Sequence, residues 1–255
     1  LAEITCYHAL LLDRAARHDD AMRVIQQAVT LGDQYDDAWT RSFIERWCAV
    51  LLQRAGTITE ALRHALHSVA IAEDDENLTA LARAQSTLGS IHIASGNLKG
   101  ALDALVHASQ LFDQLEITDW FVADSILSTG NVYARLHDAN HAMPWYERAL
   151  EMWRDLGDLS GEARTLERMA DVHAERGQYE EAIIAHEGAL GLFNAAPHLD
   201  PDAALPLVGL GLLHHRIGHH ARAMECFEHA VEKARAVQAL PALSQALTSL
   251  GRMLL

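Results

Sequence analysis

The sequence predicts an all-α chain, a solenoid of antiparallel helix pairs, and three observations carry that prediction. Apolar residues recur at helical spacing. The same pattern returns roughly every forty residues along the chain. Composition favours helix throughout: half of the 255 residues are apolar, 6% are aromatic and only five are proline, with Ala and Leu abundant.

The pattern is clearest at 161–193, GEARTLERMADVHAERGQYEEAIIAHEGALGLF. Leu166, Met169, Ala170 and His173 fall at i, i+3, i+4 and i+7, on one face of a helix. Gly177 supplies the left-handed residue that ends it, and Ala182, His186, Ala189 and Leu190 form a second stripe. Neither helix buries its stripe alone, so the pair needs similar neighbours on both sides. Sliding the second-helix alanine along the chain finds them at Ala21, Ala61, Ala101, Ala142, Ala182 and Ala223, with steps of 40, 40, 41, 40 and 41. Twelve residues before each marker stands another small residue, where two helices must approach: Ala9, Ala49, Gly89, Gly130, Ala170 and Gly211. Seven residues after it come Ala28, Ala108, Ala149, Ala189 and Ala230, with Ser68 as the exception.

Taken in order, repeat one covers about 2–36, turning at Ala16–Asp20 and breaking at Leu31–Asp33. Repeat two covers 42–75 and turns at Gly56, and the acidic run Glu73–Glu76 reads as a solvated link. Repeat three covers 82–115 and turns at Gly96. Repeat four covers 123–156, with Asp119 as the expected N-cap and Pro144 placed in the first turn of its second helix. Repeat five covers 163–196, and repeat six, 204–237, follows the proline-rich joint at 195–206. Gly251 opens a partial seventh copy at 244–255. The register runs through without a break in pattern, so 1–255 is expected to be one solenoid domain. A Leu start and an end inside a first helix lead us to expect a piece of a longer protein whose flanks hold an effector.

The segments STGNVYARLHDANHAMPWYERAL (128–150) and LGLLHHRIGHHARAMECFEHAV (210–231) resemble the tetratricopeptide repeat, with Gly130, Tyr133, Ala142, Tyr146 and Ala149 in one and Gly211, Gly218, Ala223, Phe227 and Ala230 in the other. The resemblance covers the whole chain. Its departures are a period near 40 rather than about 34, histidine (His92, His173, His214) in the first-helix aromatic slot, and no proline closing each repeat. The longer period is similar to the extended repeats of bacterial signal-sensing regulators, including maltose-activator-like factors and repeat-linked cyclases. The resemblance implies a right-handed superhelix whose first helices line a concave groove.

In the groove slots that this family register defines stand Arg14, Arg46, Arg54, Arg83, Arg135, Arg164, Arg168, Arg216 and Arg252, against the acids Glu3, Asp13, Asp124, Glu167, Asp171 and Glu175. A local balance near plus three inside a chain of net charge −15 makes a basic inner face. Arginine holds carboxylates or phosphates through paired hydrogen bonds. Asn131 occupies a slot that resembles the asparagine with which peptide-binding relatives hold a ligand backbone. The carboxylate-clamp subgroup places Lys four residues before that Asn, whereas Leu127 stands here. The candidate groove set is therefore Arg54, Arg83, Asn131, Arg135, Arg164, Arg168 and Arg216. The competing reading makes Arg14, Arg54, Arg135 and Arg216 last-turn partners of the helix dipole, in a scaffold or self-association module with no groove ligand.

Other chemistry finds little support. No HExxH, P-loop or GxSxG motif occurs, and His186–Glu187 begins like a zincin but meets Leu190 where a second His is needed. No catalytic residue and no cofactor are expected. The cluster His214, His215, His219 and His220 straddles a turn, and His64 with His67, or His137 with His141, has ligand spacing without an adjacent carboxylate or thiol, so no metal site is expected. Cys6, Cys48 and Cys226 lie in different repeats with no paired spacing. The acidic balance and only two lysines argue against nucleic-acid binding. No long apolar run suggests a membrane span and no leader pattern opens the chain, which leaves the cytoplasm as the expected compartment. The expected partner is an acidic or C-terminal peptide, or a small anionic effector.

Overall fold

The computed structural model describes residues 2–15, 17–32, 37–195, 204–236 and 240–254. Among them are thirteen helices and no strand: α1 (Ala2–Arg14), α2 (His18–Gly32), α3 (Ala38–Arg54), α4 (Ile58–Asp74), α5 (Leu78–Ser95), α6 (Leu98–Gln114), α7 (Trp120–Arg135), α8 (Ala139–Leu156), α9 (Leu159–Glu175), α10 (Tyr179–Ala195), α11 (Leu205–Arg216), α12 (His220–Ala236) and α13 (Leu240–Leu254). They gather into two compact units, Leu1–His137 and Asp138–Leu255. Ala16, Asp33 and residues 196–203 of the proline-rich joint lie outside the described residues.

Within the first unit α1 packs on α2, α3 on α4 and α5 on α6, each helix pair touching the next. The reason is the ladder of small residues. Ala21, Ala61 and Ala101 are buried, as are Ala9, Ala49 and Gly89 twelve residues earlier. At Gly89 the approach is so close that an added Cβ would stand 2.5 Å from Leu105 Cγ. Ser68, the one departure from alanine in its series, is compensated by a second serine. Ser68 Oγ donates to the Ser42 carbonyl at 2.8 Å, and Ser42 Oγ donates to the Ser68 carbonyl at 3.0 Å. Two hydroxyls thereby replace a methyl contact without leaving a buried polar group unmatched.

The second unit repeats the scheme in α9·α10 and α11·α12, with α13 packed on α12. Ala142, Ala182 and Ala223 are fully buried, and a Cβ on Gly211 would lie 2.5 Å from the Phe227 ring. Trp153 is 2% exposed, and its indole lies against Gly161, where a Cβ would come within 2.3 Å of Cδ2.

Helix starts follow side-chain caps. Asp37, Asn77, Asn97, Asp119, Asp138 and Asp158 each accept a backbone N–H of the first turn. Gly177 follows the end of α9 with φ 74°, the left-handed conformation expected of it. Pro144 differs from expectation: α8 begins at Ala139, so the proline sits one turn inside the helix and not in its first turn. The Asp138 cap, which lengthens α8 towards its N-terminus, is the reason.

Candidate ligand-binding site

In the first unit, three first helices turn one face each towards a common cavity of about 320 Å³. Residues at i, i+3, i+4 and i+7 share a helix face. That spacing brings Arg46, Trp47, Val50, Gln53 and Arg54 of α3, Ser86, Thr87 and Ser90 of α5, and Trp120, Phe121, Asp124, Ser125 and Ser128 of α7 to its walls, with Leu10 of α1.

Arg46 dominates this site. Its side chain is buried, 5% exposed, and its guanidinium carbon lies 5.2 Å from the Phe43 ring centroid, 4.8 Å from Trp47 and 5.2 Å from Phe121. Burial, and secondarily the charge of Arg83, push its pKa down to about 10, so it remains cationic at neutral pH. Removing a charge from water costs several kcal/mol unless a counter-charge meets it. Among the described residues no carboxylate forms an ion pair with it, Asp119 acting on it only through space, and Nη1 has no hydrogen-bond partner. The nearby acid is already committed. Asp119 Oδ1 caps α7 through the Phe121 and Val122 amides, and Oδ2 accepts from Arg83 at 2.6 Å. Three aromatic faces offset part of the cost, each by up to about 2 kcal/mol when desolvated. Trp47 Nε1 and Ser125 Oγ, also on the cavity wall, are likewise buried without a partner.

The sequence-derived set is dispersed. Arg54 lines the cavity but is paired with Asp13 at 2.5 Å, and Asp13 also meets His18 Nδ1 at 2.7 Å. Arg83 stands beside Arg46 and is held by Asp119. Asn131 is half-buried on α7, and Arg135 is exposed and donates to the Ile93 carbonyl at 3.4 Å; neither lines the cavity. In the second unit Arg164 lies 5.9 Å from the Trp153 ring, and exposed Arg168 pairs with Asp171 at 3.3 Å. Arg216 lies 5.7 Å from the Tyr179 ring. The side chains of Arg14 and Glu3 lie outside the described residues, and Arg252 is exposed.

Arg216 also borders a cavity of about 660 Å³ with Asp171, Ala174, His186, Gly209, Leu212, Leu213, His215 and His220. This one is not built around a stranded charge. His186 is buried and its pKa is pushed down to about 4 by that burial, so it is neutral, and Gly209 leaves the room its ring occupies. Burial raises the Asp171 carboxyl above its usual range, against the pull of Arg168. His214 is buried in the first-helix aromatic slot, as its register predicts. Among the described residues no group of three or more His, Cys, Asp or Glu is arranged to hold a metal ion.

One expectation requires correction. His64 and His67 do have a carboxylate for company: Glu45, one helix away on α3, meets their Nδ1 atoms at 2.6 and 3.2 Å. The two histidines share a face of α4 that packs on α3, which sequence spacing within α4 could not reveal.

A stack of antiparallel helix pairs with a cavity on its first helices defines a class of repeat protein, and comparison with known proteins gives the family. The family model described as tetratricopeptide repeat matches residues 121–195 and 161–236. Over residues 121–236 the chain thus carries tetratricopeptide repeats. Among solved structures, it is similar to BtubC (BKLC) from P. vanneervenii, at 18% identity over 88% of this chain and 92% of that one, with a TM-score of 0.75. A Rap protein complexed with Competence and Sporulation Factor matches at 12% identity over 99% and 85% of the two chains, with a TM-score of 0.69. NprR in complex with its cognate peptide NprX matches at 13% identity over 97% and 71%, with a TM-score of 0.65. At these identities the likeness is one of fold. No described helix is long and apolar enough to cross a membrane.

Proposed function

We propose that this chain is a non-enzymatic regulatory module that binds a protein or peptide on the face of its first helices, and that the bound segment is acidic or presents a free C-terminus. The single observation that carries the reading is the cavity of the first unit, where Arg46 and Arg54 stand among serine and threonine hydroxyls and aromatic walls. Such a wall matches an anionic group attached to an apolar one. A relative of the same fold, NprR in complex with its cognate peptide NprX, supports the same class of partner. Reading 1–255 as one continuous array, with Asn131, Arg135 and the second unit's arginines extending the surface, belongs to this proposal. A structural role is favoured for part of the second unit, because Arg168 is already paired with Asp171.

The test is a peptide array of C-terminal tails and internal acidic segments, probed with the wild-type chain and with Asn131→Ala/Arg135→Ala at low and high salt. Salt-sensitive capture by the wild type is expected, weakened in the variant, because screening acts on exposed ion pairs. Capture of nothing by the wild type would leave the scaffold reading in its place.

A further inference from the structure

We infer that Arg46 is the anchor of a subsite for a carboxylate carried on a flat apolar group. The inference rests on reading the first-helix face as the binding face, and it names the chemistry of one place on it. A guanidinium 5% exposed, ringed by Phe43, Trp47 and Phe121 and without a hydrogen-bond acceptor for Nη1, is a costly feature for an empty protein. The fold had an acid to give it, and spent Asp119 on Arg83 and the α7 cap instead.

The remaining wall specifies the ligand. Ser125 has a buried hydroxyl without a partner, suited to donate to the second oxygen of an anion. Trp47 and Phe121 carry their rings on the same wall as the cation, and Trp120 is more than half exposed at the edge. A flat ring attached to the carboxylate would lie against these faces. Asp124, also on the wall, disfavours ligands of higher negative charge, such as phosphate dianions. The volume of about 320 Å³ suits one ring-bearing residue or a small aryl acid and no long segment. Two sources share this chemistry, the C-terminal aromatic residue of a peptide and a free aryl carboxylate.

The experiment is titration of the whole chain, by calorimetry and by thermal shift, with N-acetyl-L-tryptophan, its amide, indole-3-acetate and inorganic phosphate. N-acetyl-L-tryptophan is expected to bind and its amide to fail. Arg46→Met should weaken the free acid on the order of 100-fold, as loss of one partner of a buried charge pair does, and Arg46→Lys should fall between, keeping charge but losing the fork. Indole-3-acetate binding more tightly than N-acetyl-L-tryptophan would assign the subsite to a free acid. That outcome, with a blank peptide array, would overturn the peptide reading while leaving the subsite intact. Equal binding of acid and amide, failure of both acids, or an Arg46→Met protein that stays folded by circular dichroism and binds as the wild type does would overturn the subsite and leave the array result standing.

Discussion

Arg46 in the first unit and Arg168 in the second both occupy groove slots of first helices, but only Arg168 stood in the set expected from sequence to hold a ligand, and their surroundings differ. Arg168 is exposed and has Asp171 within 3.3 Å. Arg46 is buried, walled by three rings and left without a carboxylate in ion-pair contact. An arginine column in the sequence therefore counts charges but not vacancies for a ligand. What distinguishes a binding position is the accounting of partners, and among the described residues the first unit holds a stranded cation, Arg46, beside a cavity.

The comparison presumes that one register runs through both units, and the harshest way to break it is at the close-packed glycines. Gly211→Leu would drive a side chain into the buried Phe227 ring, and Gly89→Leu into Leu105. Each is expected to destabilise the chain by about 3 kcal/mol, at the upper end of overpacking costs. Unchanged thermal melting in both would show that the slots are misassigned.

Next in size are the acids that hold the neighbouring arginines. Asp119→Ala removes a cap and the Arg83 ion pair together and leaves Arg83 unpaired beside Arg46, for an expected loss of about 2 kcal/mol. Asp171→Ala breaks only an exposed pair and should cost at most about 1 kcal/mol. Denaturant titration of the two variants side by side checks the ranking, and equal losses would erase the contrast between the units.

The smallest effect is in the pH dependence, where the units should differ in sign. Burial alone would raise the Glu45 carboxyl, but hydrogen bonds and charge from His64 and His67 outweigh it and hold the pKa below the usual carboxylate value. Its contribution is complete above the unfolded pKa and is lost as pH falls through the folded one. Glu45→Gln should flatten that part of the acid limb. Asp171 is shifted upwards by burial, so the folded state takes up its proton first and gains stability as pH falls through the raised value. Asp171→Asn should remove this gain, a weak one because 57% of the side chain is exposed.

Much of the fold was legible because it is written in short-range spacing. The alanine markers are buried, and the predicted caps Asp119 and Gly177 stand where helices begin and end. Even the Ser68 exception lies at its predicted slot, although its partner Ser42 was not foreseeable from a one-helix pattern. The site was legible only in part. Phe43 and Trp47 flank Arg46 within a turn of α3, but the third ring, Phe121, arrives from α7. The pairings that silence Arg54, Arg83 and Arg168 cross between helices or depend on rotamers. Helical spacing fixes the face of a residue and not which neighbour answers its charge.

The central claim is that the charge of Arg46 is kept for a ligand and not for folding. Its most direct test is the melting temperature of Arg46→Met in the absence of any ligand. Loss of the aromatic contacts removes up to about 2 kcal/mol apiece, whereas relief of a buried, unpaired charge returns several kcal/mol. The variant is predicted to melt at or above the wild-type temperature, as expected where a binding group is maintained against stability. A fall of several degrees would mean that the guanidinium and its three rings are a structural keystone, and would contradict the account.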